Sequence, residues 1–304
     1  MTSGDTLAFR TCDVFTEDRY SGNPLAVVAG ADGLSDGAMQ RIAGEFNLSE
    51  TIFVQTPDDP QNTAKVRIFT PVGELPFAGH PTIGCAILLA EDTAGKGDFS
   101  ATIRLEERAG LVPVEVRRAG GRIHATLTAP VVPFAVDIPV SAQDAAAALG
   151  LDPHAIGFGA HRPGVAEGGP RFVFVPVDSL DSLAWAVPTG EAFAALEARV
   201  GADGLYLYTT GTDADYRGRL FAPNGGILED PATGSATACL AAHLDACGEV
   251  PDGTTDLVLH QGIEMGRPSR LMLGIDRGNG ALTAVRVGGS AVRVGEGTLE
   301  PPAA

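Results

Sequence analysis

The chain repeats itself once, at about half of its length of 304 residues. The segment RIFTP at 67–71 returns as RLFAP at 219–223, 152 positions later. Single matches of this kind are weak, but several in one order at nearly one offset indicate a duplicated unit. Such a duplication restricts the fold to two domains built on the same plan. The further matching pairs are 35–46 with 189–200, 51–56 with 205–210, and 79–91 with 230–246.

Each copy contains the same order of predicted elements. It opens with an apolar strand, at 9–15 in the first copy and 171–177 in the second, and continues into a helix with apolar residues at helical spacing. Two strands, a Gly/Pro turn and a helix of small residues follow. The later strands alternate apolar and polar residues, a pattern typical of antiparallel sheets. The predicted fold is α+β, with two pseudo-symmetric domains, each a curled antiparallel sheet around a central helix.

A proline-containing stretch separates the two copies. Three prolines lie within APVVPFAVDIPV at 129–140, as is typical of a linker. We therefore expect the first domain to span 1–128 and the second to begin at 129. Domains of this length are each large enough to bury a core of their own.

The charge balance argues against several classes of partner. The chain has 21 Lys and Arg against 38 Asp and Glu, a formal net charge of −17. Nucleic-acid binding and docking on an anionic membrane both need clustered basic side chains. Apolar runs such as CAILLA at 85–90 are far shorter than the roughly 20 residues of a membrane helix. We expect neither a nucleic acid nor a membrane as partner.

The spacing of cysteines and histidines does not predict a metal site or a disulfide framework. The four cysteines form no CxxC pair, and the six histidines are scattered without ligand spacing. The sequence has no GxGxxG or GxxxxGK[ST] motif for a nucleotide. The first residues lack the basic segment and apolar core of a secretory leader. We expect a cytoplasmic protein with reduced thiols and with no metal or cofactor.

The two turns that precede the small-residue helices carry the most chemical information. They read GHPTIG at 79–84 and DPATGS at 230–235. The first turn of a helix leaves about four backbone N–H groups without partners and carries partial positive charge. Two such turns at a cleft between related halves would bind a carboxylate, whereas the alternative is ordinary capping by Thr82, Thr233 or Ser235. The duplication favours the ligand site.

Three ionisable residues lie in or near these turns. His80 lies in the first turn, and Asp230 occupies the comparable place in the second. Glu50 begins the apolar strand of NLSETIFV, and the repeat sets Asp203 or Gly204 opposite it, so this acid is not duplicated. Facing a closed apolar cleft, its pKa would rise towards the working pH, as a one-base proton transfer needs. Each residue also has a structural alternative: His80 could be a solvent-facing turn residue, Asp230 an acid at a helix N-terminus, and Glu50 a carboxylate at a strand edge.

Several motifs occur in a fixed order along the chain: DVFT, GNPLAVV, NLSETIFV, FTPVGELPFAGHPTIG, RLFAPNGGILEDPATGSA and QGIEMGRPS. This series resembles the PhzF-type phenazine-biosynthesis isomerase family over nearly the whole chain. The resemblance implies the diaminopimelate-epimerase-like fold, with two pseudo-symmetric domains and the site between them. It also implies that the last strand, at about 286–300, belongs to the first domain and that the protein is a homodimer.

The resemblance also implies roles for matching residues. The Glu of the LSET segment, Glu50, is similar to the family's general acid/base, and His80 and Asp230 line the same site. Backbone amides near the two turns would hold the substrate carboxylate. Asn23 of the GNP turn is a candidate ligand contact, with a purely structural turn as its alternative. The expected substrate-binding residues are Asn23, Gly79, Thr82, Gly234 and Ser235.

The predicted activity is a cofactor-independent isomerisation that moves a proton between carbons of a small carboxylate substrate. Glu50 removes the proton and returns it, while amides and His80 stabilise the developing enolate-like charge. One alternative is an amino-acid epimerase or racemase, although neither turn has the cysteine that two-thiol epimerases of this fold use. Another is a non-catalytic small-molecule-binding homologue, against which the intact Glu50, His80, Asp230 and Ser235 argue.

Overall fold

A computed structural model describes residues 6–95 and 97–302. The chain divides into two compact units: unit 1 comprises Met1–Pro130 with Gly288–Ala304, and unit 2 comprises Val131–Val287. Residues 1–5 lie outside the described residues. They include the start of the segment from which we predicted that a secretory leader is absent.

The chain forms eighteen strands and six α-helices within the described residues, joined in places by short 3-10 turns. In chain order the elements are β1 Leu7–Val14, β2 Asn23–Ala29, α1 Asp36–Phe46, β3 Glu50–Gln55, β4 Ala64–Phe69, β5 Glu74–Leu75, α2 Gly79–Ala94, β6 Phe99–Glu107, β7 Gly110–Ala119, β8 Arg122–Thr128, β9 Phe134–Val136, α3 Ala142–Leu149, β10 Gly164–Glu167, β11 Arg171–Pro176, α4 Leu180–Trp185, α5 Gly190–Val200, β12 Gly204–Thr210, β13 Tyr216–Ala222, β14 Ile227–Asp230, α6 Gly234–Ala246, β15 Gly253–Gln261, β16 Ser269–Gly278, β17 Ala281–Gly289 and β18 Ala291–Leu299.

The two units repeat the same order of elements. In unit 1 the order β1-β2-α1-β3-β4-β5-α2-β6-β7-β8 matches β10-β11-α5-β12-β13-β14-α6-β15-β16-β17, and α3 and α4 are additions to the second series. One further strand completes each series: β18 pairs antiparallel with β1, and β9 pairs antiparallel with β10. The predicted pseudo-symmetric α+β architecture is confirmed.

The sheet of each unit is mixed rather than purely antiparallel. β6, β7 and β8 are antiparallel, as their alternation predicts. However, β2 pairs parallel with β3 and β4 pairs parallel with β6, and the equivalent pairs β11 with β12 and β13 with β15 are also parallel. A helix lies between the two strands of each parallel pair, since a crossover connection returns the chain in the same direction. The alternation of residues did not predict these pairs.

Each unit is built around one helix that is buried on nearly all sides. Residues Gly79 to Leu88 of α2 are all buried, and the helix packs against β1, β2, β3, β6, β7, β8 and β18. In unit 2, α6 is buried from Ala236 to Leu244 and packs against β9, β10, β11 and β16. A helix that is apolar all round needs cover on every side. The predicted central helix is therefore confirmed in both units.

A duplicated arginine holds the hairpin that leads into each central helix. Arg67 of β4 donates two hydrogen bonds to Glu74 of β5, at 2.8 and 2.7 Å. Arg219 of β13 does the same to Glu229 of β14, at 2.8 and 2.9 Å. Each guanidinium also lies over the phenyl ring two residues further along, 5.2 Å from its centre in unit 1 and 4.6 Å in unit 2. These contacts explain the repeated R-x-F motif, because paired carboxylate bonds and a stacked ring both require arginine.

Candidate active site

Three of the predicted residues meet in one buried group within unit 1. Asn23 is the first residue of β2, Glu50 the first of β3 and His80 the second of α2. Glu50 Oε2 lies 3.1 Å from His80 Nδ1, and Asn23 Nδ2 lies 3.3 Å from the same nitrogen. All three side chains are buried. The structure thus brings together a carboxyl group, an imidazole and an amide at the ends of three elements.

Tight turns deliver two of these side chains to their places. Gly22 has a φ of 64°, and a side-chain carbon there would lie 2.3 Å from Val14 O, so glycine is required before Asn23. Asn47 ends α1 in the left-handed conformation with a φ of 50°. The chain then enters β3 at Glu50, which is in register with the buried β2. The motifs GNP and NLSE therefore encode the turns as well as the site residues.

His80 is an uncharged imidazole in this setting. Burial lowers its pKa from the ordinary value to about 3, because the charged form would lose its hydration. The contact with Glu50 therefore joins a carboxyl group to a neutral ring at physiological pH. Nδ1 can accept a hydrogen bond from Asn23 or donate one to Glu50, but a single nitrogen cannot do both. The tautomer of His80 thus decides which of these two hydrogen bonds it makes.

The first turn of α2 is held from within the unit. Ser35, Ser141 and Ser179 cap α1, α3 and α4, whereas α2 begins after Ala78 with no cap from a described side chain. The hydroxyl of Thr82 instead lies 2.7 Å from the carbonyl oxygen of Ala78. Thr82 is fully buried. Its hydroxyl therefore serves the turn, as does its backbone N–H, which donates to Ala78 O at 3.3 Å, and the substrate-binding role of Thr82 stays a prediction.

Glu107 makes the second contact of that hydroxyl. Glu107 Oε1 lies 2.6 Å from Thr82 Oγ1, and the side chain is buried. Burial raises the pKa of Glu107 to about 8, and the contact with Thr82 offsets only part of this rise. Sequence reasoning missed Glu107, because a glutamate is usually exposed, although the alternation of β6 places it on the buried face with Ile103 and Leu105.

In unit 2, the predicted Asp230 is the last residue of β14 and is buried. Its carboxylate Oδ2 accepts a hydrogen bond of 2.6 Å from Thr233 Oγ1. Gln261, the last residue of β15, donates from Nε2 to Asp230 O at 2.8 Å and to Thr233 Oγ1 at 3.0 Å, and its Oε1 accepts from Thr233 N at 3.2 Å. The DPATG turn is therefore held by a buried amide that sequence reasoning did not single out.

The residue after that amide explains part of the QGIEMGRPS motif. Gly262 has a φ of 74°, and a side-chain carbon there would lie 2.6 Å from Pro231 O and 2.5 Å from Arg267 O. Glycine is therefore required for the chain to pass close to the DPATG turn. The pair Gln261–Gly262 would have been the sequence signal for this contact.

The alignment of the two central helices corrects one expectation. α2 begins at Gly79 and α6 at Gly234, so the second helical residue is His80 in unit 1 and Ser235 in unit 2. Asp230 lies in the preceding strand and does not occupy the place of His80. The expectation failed because the hairpin of β13 and β14 is longer than that of β4 and β5: Arg219 and Glu229 are 10 positions apart, whereas Arg67 and Glu74 are 7 apart. β3 begins at Glu50 and β12 at Gly204, so the acid is unmatched, as predicted.

The cysteines of the central helices are buried inside the units. Cys85 of α2 and Cys239 of α6 are both buried, and burial raises the pKa of each thiol to about 12. Thiols with such pKa values stay protonated at neutral pH and are poor bases. These two cysteines are therefore small packing residues of the central helices.

The sequence family follows from a comparison with known proteins. The family model for phenazine biosynthesis-like proteins, PhzC-PhzF, matches residues 12–297. The chain belongs to this family. Trans-2,3-dihydro-3-hydroxyanthranilate isomerase of Pseudomonas aeruginosa is 37% identical to this PhzF-family protein over 285 residues, which cover 94% of this chain and 96% of the relative. An uncharacterized isomerase of Mesorhizobium japonicum is 41% identical over 293 residues, with the same coverage of both chains.

A solved structure supports the fold. The crystal structure of a Bacillus anthracis phenazine biosynthesis protein of the PhzF family matches with a TM-score of 0.86 and 26% identity, covering 97% of this chain and 99% of that chain. The family and the α+β fold predicted from the motifs are thereby confirmed, and this PhzF-family protein is an isomerase. Among the described residues, no helix combines the length and the hydropathy needed to cross a membrane.

Proposed function

We propose that this isomerase moves a proton between two carbons of a small carboxylate substrate, with Glu50 as its acid and base. The contact of 3.1 Å between Glu50 Oε2 and the neutral His80 carries this proposal. A carboxyl group held in a buried place against an uncharged imidazole can take up and release a proton without breaking an ion pair. Proton exchange through one side chain is the chemistry that this pair supports best.

The proposed step balances without an oxidant or a reductant. The Glu50 carboxylate removes a proton from an activated carbon, and the electron pair of the broken C–H bond passes into the conjugated system of the substrate. The resulting Glu50 O–H then returns the proton to a second carbon on the same face. Because Glu50 removes one proton and supplies one, the reaction needs no cofactor, and exchange of the Glu50 proton with water between the two transfers brings solvent hydrogen into the product.

His80 can support both states of Glu50. When Glu50 is ionised, Nδ1–H of His80 donates to Oε2, and when Glu50 carries the substrate proton on Oε1, the same hydrogen bond to Oε2 is kept. The ring therefore keeps one tautomer and stays uncharged throughout, in agreement with its lowered pKa. His80 is therefore proposed to hold Glu50 in position while the charge moves.

The substrate is proposed to be a ring compound that carries a carboxylate. The support is the name of the Pseudomonas aeruginosa relative, which isomerises trans-2,3-dihydro-3-hydroxyanthranilate. The backbone N–H groups of Gly79 and His80, the first two residues of α2, receive no side-chain cap from the described residues and suit a carboxylate. Asn23, Asp230, Gly234 and Ser235 remain predicted substrate contacts, and each side chain among them can be tested by its own variant.

The test is turnover of trans-2,3-dihydro-3-hydroxyanthranilate in deuterated water, comparing wild type with Glu50→Gln. We expect deuterium in the wild-type product and a loss of turnover of about 10²- to 10⁴-fold in the variant, because the amide cannot act as a base. Glu45→Gln is the matched control, since Glu45 is an exposed glutamate at the end of α1.

Each alternative has a different outcome in this experiment. Unchanged turnover in Glu50→Gln would remove the central role of Glu50. Inversion of a chiral substrate that does not depend on Glu50 would indicate an epimerase. Calorimetric binding of anthranilate with no hydrogen exchange at any substrate carbon would indicate a non-catalytic binding protein.

A further inference from the structure

We propose that Glu107 is a positioning residue that holds the first turn of α2 by donating the proton of its carboxyl group to Thr82. This inference rests on the proposed function, because the turn that Thr82 stabilises begins with Gly79 and His80. Glu107 itself contacts the turn through a side chain and has no role in the proton transfer proposed for Glu50.

A count of hydrogens supports a proton on Glu107. Thr82 Oγ1 lies 2.7 Å from Ala78 O and 2.6 Å from Glu107 Oε1. A hydroxyl group has one hydrogen to donate, and a carbonyl oxygen can only accept. If the hydroxyl hydrogen goes to Ala78 O, the second short contact needs a hydrogen from Glu107. A neutral carboxyl group satisfies both contacts at once.

The equivalent position of unit 2 supports the same conclusion. β6 ends at Glu107 and β15 ends at Gln261, and both strands have nine residues. Gln261 uses an amide N–H to hold the turn before α6, through bonds to Asp230 O and Thr233 Oγ1. A protonated glutamate has the shape of glutamine and one hydrogen to donate. Each unit thus holds its turn with a donor from the end of the same strand.

The surroundings of Glu107 offer little to stabilise a negative charge. Its Oε2 is buried and has no hydrogen-bond partner among the described residues. The neighbouring Glu106 faces Asn62, and Arg108 donates to Glu74 instead. Cys85 of α2 interacts with Glu107, but its thiol is protonated at neutral pH. Burial without a compensating charge is the reason that the pKa of Glu107 rises to about 8.

Ionisation of Glu107 would change the contacts of the turn. A carboxylate can only accept, so the Thr82 hydroxyl would have to turn its hydrogen to Glu107 and release Ala78 O. The carbonyl of Ala78 would then keep only the backbone bond from Thr82 N, which is 3.3 Å long. The first turn of α2 would loosen as the pH rises, and with it the support of His80.

The first test is urea unfolding of the full chain between pH 5 and 9, for wild type and Glu107→Gln. The folded pKa lies above the unfolded one, so the stabilisation is complete below about pH 4.5 and is lost as the pH rises through about 8. The unfolding constant of wild type should rise by up to about tenfold per pH unit relative to the variant. Parallel curves for the two proteins would overturn the proposal.

A matched control separates burial from charge. Glu106 is the adjacent residue and is only partly buried, and Asn62 and the backbone of Asp58 and Asp59 hold its pKa below the ordinary value. The unfolding constant of Glu106→Gln should therefore rise with pH as steeply as that of wild type. If Glu106→Gln removes this pH dependence as fully as Glu107→Gln does, Glu107 is not its source, and the proposal is contradicted.

The second test measures the dissociation constant of anthranilate, a stable aromatic carboxylate, over the same pH range. Wild type should bind several-fold more weakly at pH 9 than at pH 6.5, whereas Glu107→Gln should show a flat profile. Glu107→Leu, which cannot donate, should bind weakly at every pH, and its comparison with Glu107→Gln gives the rescue by a donor. Equal affinity of the Leu and Gln variants would contradict the positioning role.

The outcomes for Glu107 and Glu50 are separable. The unfolding experiment depends on Glu107 alone and succeeds or fails whatever the substrate is. Glu50→Gln should keep the pH dependence of the unfolding constant seen in wild type, even though it loses hydrogen exchange. A missing pH dependence therefore overturns the proposal for Glu107 and leaves that for Glu50 intact.

Discussion

The two units of the chain follow one plan but differ at the positions that matter for chemistry. β3 begins with Glu50 where β12 begins with Gly204, and α2 carries His80 where α6 carries Ser235. By contrast, the arginine that braces the hairpin before each central helix is retained. The duplication has therefore kept the frame in both units and placed the buried acid in unit 1.

The difference shows how one architecture can separate support from reactivity. In unit 2 the turn before α6 is held by Gln261, a group that does not titrate, whereas unit 1 uses Glu107, a group that does. Glu50 and Glu107 are both buried, and they contact the first turn of α2 through His80 and Thr82. We expect that the pH response of this turn originates in Glu107 for this reason.

The largest expected effect is on stability, and it compares the hairpin arginine of unit 2, Arg219, with that of unit 1, Arg67. Arg219 donates three further bonds, of 2.8, 3.0 and 2.9 Å, to the carbonyl oxygens of Leu183, Ala184 and Ala186. Arg219→Met should lower the free energy of unfolding by about 3–5 kcal/mol, because it removes a buried guanidinium and leaves the half-buried Glu229 and these carbonyls without donors. Arg67→Met should cost about 1–3 kcal/mol, since its third partner is the exposed Asp36.

Urea unfolding measures both losses, with Arg199→Met as a control. Arg199 pairs with Asp144 at the surface, where ion pairs contribute about 1 kcal/mol or less. Equal losses in Arg67→Met and Arg219→Met would contradict the difference in burial on which the ranking rests.

The second test exchanges the residue that differs between the central helices. His80→Ser gives unit 1 the residue of unit 2 and removes the partner of Glu50, so kcat should fall by about 10²-fold or more. Ser235→Ala should lower kcat less than tenfold, since it removes one hydroxyl group. Turnover in deuterated water measures both, and unfolding curves check that each variant is folded. The reverse order of the two losses would place the main partner of the substrate in unit 2.

The smallest expected effect comes from giving β15 of unit 2 the glutamate with which β6 of unit 1 ends. Gln261→Glu introduces a buried acid beside Asp230. The folded pKa of the introduced carboxyl group should lie above its unfolded value, for the reason given for Glu107. Stability should therefore fall as the pH rises, by at most about 1.4 kcal/mol per pH unit relative to wild type. The control is Gln61→Glu at an exposed loop position, which should add no slope. A flat difference between Gln261→Glu and wild type would show that this place tolerates a charge.

Much of the fold and part of the site could be predicted from the sequence. The repeated R-x-F segments and the two apolar helices gave the duplicated α+β plan, because such patterns depend on neighbours along the chain. Glu50 and His80 were predicted from their motifs, and the structure brings them within 3.1 Å. The parallel strand pairs were not predicted, since alternation of residues carries no information about strand direction.

The remaining features depend on residues that are distant in sequence. Glu107 and Thr82 are 25 positions apart, so the alternation of β6, which turns Glu107 to the same face as Leu105, could not show which residue it meets. The assignment of Asp230 opposite His80 was wrong because the motif match did not show that the hairpin of β13 and β14 is longer than that of β4 and β5. Ser235 takes that place only once the helix starts are known.

The sequence by itself determined the duplication, the order of elements and the family, because periodicity, turn residues and motifs are properties of short stretches of chain. Only the tertiary structure decided which side chains share a proton, since this depends on distances of about 3 Å and on burial. The neutral His80, the carboxyl group beside it and the protonated Glu107 are consequences of packing rather than of any local pattern.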